Sequence, residues 1–197
     1  SYTGGLGSWD ASNVFRGQSV LLLGGGPGLG RHMPAVKRFI EREKPFVFCL
    51  NTKSELSTDY IDAYAACHPS MLAMESDTYA TLEKPLLAPL GAIPEKVRNK
   101  MAGTSVWDFG MTVEQGSFVV SSTGCKVPDL LVLAYVLGAA YAGSAEKILL
   151  AGFDGFGASD PRQRQSNSVF EFFSKLANAP QICAITPTTY SVHQASV

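Results

Sequence analysis

Several features that mark common binding sites are missing from this 197-residue sequence. Its four cysteines form no C-x-x-C pair and its three histidines form no H-x-x-x-H pair, so the spacing typical of a metal site is absent. Only 17% of the residues are charged and the net charge is −1, which gives no indication of a nucleic-acid partner or an anionic membrane. We therefore expect no metal site and no nucleic-acid ligand.

The sequence also has no apolar run that is long enough to cross a bilayer. The longest apolar stretch, residues 127–142, contains Pro128 and Asp129 and is shorter than the roughly 20 residues that a membrane-spanning helix needs. No signal-peptide pattern is visible. Cys49 and Cys183 lie inside apolar segments, as buried thiols do, and free thiols are typical of a reducing compartment. These features predict a cytoplasmic protein without an integral membrane segment.

Apolar runs without a helical period alternate with helical patterns along the chain. Residues 20–23, 45–50 and 147–152 are the clearest strand candidates, and residues 32–44 and 127–141 are the clearest helices. This alternation predicts an α/β fold, a Rossmann-like three-layer sandwich with a mostly parallel sheet.

Weaker patterns complete the predicted organisation. They favour a helix over residues 59–67 and a strand over residues 70–74. Residues 1–17 are rich in glycine and serine, and we expect them to be a leader or linker, the cut end of a longer protein. Residues 18–197 are then long enough to form one Rossmann-like nucleotide-binding domain with a full core.

The most informative segment is a glycine loop, residues 24–30, which follows the first predicted strand. It has five glycines in seven residues, and a helical period begins at Arg31. The glycines match neither the G-x-G-x-x-G dinucleotide fingerprint nor a Walker P-loop. A strand, a glycine loop and a helix together aim backbone N–H groups at a phosphate. We expect Gly24, Gly25, Gly26, Pro27 and Gly28 to form a phosphate loop; the alternative is a tight turn without a ligand.

Three more candidates follow predicted strands, where ligands bind in open parallel sheets. Asn51 ends the second strand, where an NAD-binding enzyme usually carries an acidic residue that holds a ribose diol, so we expect no NAD site. The neutral amide of Asn51 can both donate and accept hydrogen bonds, which suits a base edge or a ribose. Ser122, Thr123 and Gly124 are expected to precede the helix over 127–141, where hydroxyl and N–H groups can hold a phosphate. Asp154 follows the strand over 147–152. A loop cap at Asn51 and simple helix capping by Ser122 and Thr123 are the alternatives.

These motifs occur in an order that resembles one superfamily. They are the Gly-x-Gly-Pro loop, Asn51, the Ser122–Thr123–Gly124 turn, and Ile-Leu-Leu-Ala-Gly-Phe-Asp-Gly-Phe at residues 148–156. The superfamily includes the bacterial single-domain sialyltransferases, the Maf-type flagellin glycosyltransferases and the archaeal hydroxymethylpterin diphosphokinases. Within it, the sequence most resembles the C-terminal domain attached to aldolase-like barrels, similar to HMG-CoA lyase, in bacterial surface-polysaccharide gene clusters. The resemblance covers residues 20–185.

The resemblance implies a nucleotide or nucleotide-sugar site, with CMP as the ligand in the sialyltransferases, and glycosyl or diphosphate transfer as the reaction. It assigns the phosphate loop to residues 24–28, nucleotide contacts to Asn51 and residues 122–124, and the acidic catalytic position to Asp154. The sequence departs from the sialyltransferases at Gly25, where they carry asparagine, and at Phe156, where they carry tyrosine. An attached or associated aldolase-like barrel is the implied partner, and a non-catalytic module that docks or regulates this barrel is the alternative function.

We expect the glycine loop and the Ser122–Gly124 turn to face one pocket, with Asp154 at its rim. All three follow strands of one predicted parallel sheet, and such strands end at the same edge. On this hypothesis a Gly26→Val substitution fills the pocket while the fold stays intact.

Overall fold

The computed structural model describes residues 4–52 and 54–195. They form an α/β protein with an eight-stranded, all-parallel sheet that is flanked by helices, a Rossmann-like sandwich. The predicted fold class is therefore confirmed. A separate three-stranded sheet packs beside the main one.

The strands and helices are as follows. The strands are β1 (Ser19–Leu23), β2 (Phe46–Leu50), β3 (Ala63–Ala65), β4 (Leu86–Ala88), β5 (Val106–Asp108), β6 (Gly110–Val113), β7 (Val119–Ser121), β8 (Gly124–Val127), β9 (Lys147–Ala151), β10 (Gln181–Ala184) and β11 (His193–Gln194). The α-helices are α1 (Pro27–Arg31), α2 (Met33–Glu43), α3 (Pro69–Met74), α4 (Ser76–Tyr79), α5 (Glu95–Lys100), α6 (Val132–Ala142) and α7 (Pro161–Ser174). Short 3₁₀ turns occupy Thr58–Tyr60 and Leu90–Ala92.

The strand order of the main sheet reverses between β1 and β9. The order is β11-β10-β9-β1-β2-β3-β4-β5, so the chain builds outward from β1 to β5 and then returns to the other side of β1. Strand β1 pairs with both β2 and β9, and Leu21 lies opposite Val47 on one side and Leu149 on the other. In open parallel sheets, a reversal of this kind opens a crevice at the carboxyl ends of the strands.

Strand β1 is buried on both faces, which explains why its sequence is continuously apolar. Its side chains alternate between two cores because successive residues of a strand point to opposite faces. Val20 and Leu22 belong to the core under α6 and α7, and Leu21 and Leu23 belong to the core under α2. Helix α6 is apolar on nearly all sides and residues 133–140 are buried, as its sequence predicted.

Two weak predictions are wrong. Residues 59–67, predicted as a helix, contain a 3₁₀ turn and strand β3, whose three residues are all buried. Residues 70–74, predicted as a strand, belong to helix α3, because Pro69 occupies its first position, where a proline is well tolerated. Short apolar runs of this kind fit a buried strand and a buried helix equally well.

The predicted leader packs against the domain over the part that the structure describes. Ala11 and Phe15 are completely buried in the core under α6 and α7. Trp9 stacks on Trp107 of β5 with the ring centroids 4.8 Å apart, and the backbone N–H of Trp9 donates to the carbonyl of Asp108 at 2.9 Å. Residues 4–17 therefore contribute to the same hydrophobic core as the main sheet.

No helix among residues 4–52 and 54–195 is both long and apolar enough to cross a membrane. None of the four cysteines forms a disulfide, and all four are buried.

We expect the four thiols to be protected in the native protein and to be released together on unfolding. Burial raises the pKa of the Cys49 and Cys67 thiols to about 12, so the reactive thiolate is scarce at neutral pH. Titration with a thiol-specific reagent at pH 7.5 should label little native protein and four thiols per chain in unreduced, denatured protein. A count of two or fewer after unfolding would contradict the reduced state.

Candidate functional site

A cavity of about 1000 Å³ opens at the carboxyl edge of the main sheet. Its walls are the glycine loop after β1, the segment after β2, the segment after β9 and the first turn of α6. It therefore lies at the reversal of strand order between β1 and β9, where the open-sheet rule locates ligands.

The amides of the glycine loop are mostly used to hold the loop to the segment after β9. The N–H of Gly24 donates to the carbonyl of Ala151, and the N–H of Gly26 donates to the carbonyl of Gly152, both at 2.8 Å. The N–H of Gly28 donates to Oδ2 of Asp154 at 2.7 Å. Among the described residues, the N–H of Gly25 has no acceptor. Gly25 is therefore the position of this loop whose N–H is free for a ligand.

Close contact between two loops explains why glycines occupy this segment. A Cβ atom on Gly24 or on Gly26 would lie 2.6 Å from the carbonyl oxygen of Gly152, and a Cβ on Gly28 would overlap the carboxylate of Asp154. A Cβ on Gly25 would meet no atom within 4 Å. The space beside Gly26 and Gly28, where the expected phosphate loop would hold its ligand, is occupied by the Asp154 side chain.

Asp154 lines the cavity, and its carboxylate is already engaged. Oδ2 accepts the Gly28 N–H, and Oδ1 is buried without a hydrogen-bond partner among the described residues. The main chain of Asp154 is also fixed, since its carbonyl accepts the Thr189 N–H at 2.9 Å. Asp154 thus joins the glycine loop to the segments that follow β9 and β10.

Asn51, which follows β2, lines the cavity. Its φ of 62° is left-handed, a conformation that asparagine adopts more readily than most residues. The backbone N–H donates to the carbonyl of Ala65 at 2.8 Å, whereas the side-chain amide has no partner among the described residues. The turn therefore holds a hydrogen-bonding group at the carboxyl end of β2, facing the cavity.

Ser122, Thr123 and Gly124 do not line the cavity. Ser122 and Thr123 form the turn between the antiparallel strands β7 and β8, and Gly124 begins β8. The carbonyls of Ser122 and Thr123 accept N–H groups of Ala11 and Gly7, respectively, so the turn anchors the N-terminal segment. The expected position at the start of the central helix is wrong, because residues 124–127 pair with β6 and the helix begins only at Val132.

Three titratable residues line the cavity but belong to none of the motifs that the sequence analysis identified. Glu55, His68 and Glu75 come from segments beyond β2 and β3, and none of them belongs to a recognisable spacing. Partial burial lowers the pKa of His68, which favours the neutral imidazole. Glu75 accepts a hydrogen bond from the hydroxyl of Thr52 at 3.3 Å. This side of the cavity can therefore accept protons and hydrogen bonds.

The rim beside Phe156 carries a cation that is held in place. The guanidinium of Arg162 lies 4.0 Å from the ring centroid of Phe156 and forms an ion pair with Asp160 at 2.7 Å. Arg162 itself does not line the cavity.

Within the described part of the chain, no group of three or more His, Cys, Asp or Glu residues could hold a metal ion.

Comparisons of the chain with models of protein families, with curated proteins and with solved structures find no match.

Proposed function

We propose that this domain binds a nucleotide or a nucleotide-sugar in the cavity at the carboxyl edge of its sheet. The observation that carries the proposal is the position of the cavity between the ends of β1 and β9, where the strand order reverses. Its volume of about 1000 Å³ is at the upper end of the range for small-molecule sites, so a nucleotide with an attached sugar fits its size.

The chemistry of the walls is consistent with such a ligand. Leu29, Leu133 and Phe153 supply apolar surface on which a base can pack. The Asn51 amide offers both a donor and an acceptor for a base edge or for ribose hydroxyls. Together these groups favour a ligand with one flat apolar part and several polar atoms. CMP is the first nucleotide to test, because the sialyltransferases that the sequence resembles use it.

If the domain is a transferase for a glycosyl or a diphosphate group, His68 is the better candidate for a proton acceptor. Partial burial lowers the pKa of His68 and so favours the imidazole form that can accept a proton, whereas the Asp154 carboxylate already accepts the Gly28 N–H. Phe156 has no hydroxyl with which to stabilise a leaving phosphate.

The engagement of Asp154 also favours a second candidate function, a non-catalytic module. On this alternative the domain belongs to an aldolase-type protein of bacterial surface-polysaccharide biosynthesis and docks or regulates the attached barrel. The hydrogen bond between Asp154 and Gly28 then has a purely structural purpose. Nucleotide binding without turnover would agree with this alternative and with the binding proposal alike.

The binding proposal is tested by calorimetric titration with CMP, UMP, GMP and their sugar conjugates. We expect one of them to bind, and we expect Asn51→Ala to weaken its binding about five- to tenfold, the loss of one or two hydrogen bonds. Asn178→Ala is the matched control, since Asn178 is also left-handed, with φ of 56°, but does not line the cavity. If no member of the panel binds at millimolar concentration, the proposed function is wrong.

A further inference from the structure

The first turn of α6 meets the cavity with its backbone donors unused. Leu131 caps the helix without a side-chain hydrogen bond, and Leu131, Val132 and Leu133 line the cavity. The N–H groups of Val132, Leu133 and Ala134 have no acceptor among the described residues. Helix α6 has 11 residues, so its aligned peptide dipoles leave a partial positive charge at this end.

A second, independent observation comes from the neighbouring helix α7, which lines the same cavity. Ser166 of α7 lines the cavity, its residue is only 8% exposed, and its hydroxyl has no hydrogen-bond partner among the described residues. The side chain of Gln165 donates to Oδ1 of Asp129 at 3.0 Å, which ties this part of α7 to the segment just before α6. The Ser166 hydroxyl is therefore available to donate a hydrogen bond to an oxygen of a ligand in the cavity.

We propose that the start of α6 and the Ser166 hydroxyl form a subsite for the phosphate group of the nucleotide. This inference rests on the proposed function. Helices α6 and α7, which carry the subsite, cover one face of the sheet, whereas α2, which follows the glycine loop, covers the other. The phosphate is then bound by neutral N–H and O–H donors, and the partial positive charge at the start of α6 favours the anion.

The carboxylates that line the cavity, those of Glu55, Glu75 and Asp154, come from segments other than α6 and α7. Asp154 is bound to Gly28, and Glu75 accepts a hydrogen bond from Thr52 after β2. The Asp129 carboxylate accepts a hydrogen bond from the side-chain amide of Gln165, and Asp129 does not line the cavity. The first turn of α6 thus offers three backbone N–H donors on a part of the wall where the described residues include no carboxylate.

Two substitutions remove one donor each. Ser166→Ala deletes the hydroxyl, and Ser168→Ala on the same helix is its control, because Ser168 does not line the cavity. Val132→Pro deletes one N–H at the first helical position, where proline fits. Leu131 has φ of −126° and ψ of 132°, which a residue before proline tolerates. Val132→Ala keeps the N–H and controls for the lost methyl groups.

The experiment is a calorimetric titration of each variant with CMP and with cytidine, which lacks the phosphate. We expect Ser166→Ala and Val132→Pro each to weaken CMP binding about fivefold and to leave cytidine binding unchanged, while both controls behave like the wild type. If Val132→Pro does not fold, Ser166→Ala and its control decide the outcome. CMP binding that is equal in wild type and Ser166→Ala, or an equal loss for cytidine, would overturn the subsite while leaving the nucleotide proposal intact.

A second arm separates the subsite from the proposed function. Inorganic phosphate is titrated into the ¹⁵N-labelled protein, and the amide signals of Val132 and Leu133 are followed. If no nucleotide binds but phosphate shifts these signals in the wild type and not in Ser166→Ala, the subsite is upheld as an anion site and the nucleotide proposal fails. If phosphate moves neither signal and no nucleotide binds, both proposals are wrong.

Discussion

Phe15→Ala should lower the free energy of unfolding by about 3–5 kcal/mol, the usual cost of truncating a buried phenylalanine. The Phe15 side chain is completely buried although it lies in a segment whose composition resembles a linker. Its ring centroid is 5.0 Å from that of Phe46 and 5.7 Å from that of Phe48, on the first two residues of β2 that face this core. Truncation would leave a cavity that these rigid rings cannot fill.

Val14→Ala is the matched control, because Val14 is the neighbouring residue and is 41% exposed. We expect it to change the unfolding free energy by about 0.5 kcal/mol or less. Urea denaturation, monitored by tryptophan fluorescence and by circular dichroism, provides the measurement. Equal, small effects of the two substitutions would show that residues 4–17 do not belong to the cooperatively folded unit.

Gly26→Ala should destabilise the protein by about 1–3 kcal/mol, the range for overpacking a well-packed interior. Gly26 has φ of −71° and ψ of 148°, which any residue adopts, so the cost arises from contact alone. The added methyl group would lie 2.6 Å from the carbonyl oxygen of Gly152 and 2.7 Å from Oδ1 of Asp154. The larger Gly26→Val, which the sequence alone predicted to leave the fold intact, should cost more.

Gly25→Ala is the control, because it replaces a glycine of the same loop that makes no such close contact. Gly25 is exposed, and its added methyl group would meet no atom within 4 Å, so the unfolding free energy should change by about 0.5 kcal/mol or less. Thermal unfolding of the two variants side by side gives the comparison. A Gly26→Ala variant as stable as Gly25→Ala would mean that the contact between the two loops is looser than the structure indicates.

The fold could be predicted because its central strands carry a strong local signal. Leu21 and Leu149 lie in continuous apolar runs, and only a strand covered on both faces needs such a run. The glycine loop and Asn51 were identified for the same reason, since each directly follows one of these strands. Where the local signal was short, as at Ala63–Ala65 and Pro69–Met74, strand and helix were exchanged.

The contents of the site were harder to predict because they depend on contacts between distant residues. The hydrogen bond from the Gly28 N–H to the Asp154 carboxylate joins residues 126 positions apart, and no sequence pattern in either segment predicts this contact. Helix α6 starts later than predicted because residues 124–127, directly after the Ser122–Thr123 turn, form β8 and pair with β6. Ser166 carried no signal because an isolated serine in a helix usually faces solvent.

The bonds that tie the glycine loop to the segment after β9 also set the order in which this protein can fold. Strands β1 and β2 are near in sequence and can pair early, but β9 reaches β1 only after the whole of residues 109–146 has been made and arranged. Closing such a long chain segment is entropically expensive, and parallel sheets of high contact order fold slowly. During synthesis on the ribosome, the floor of the cavity therefore forms only after residues 147–154 have emerged, later than the pairing of β1 with β2.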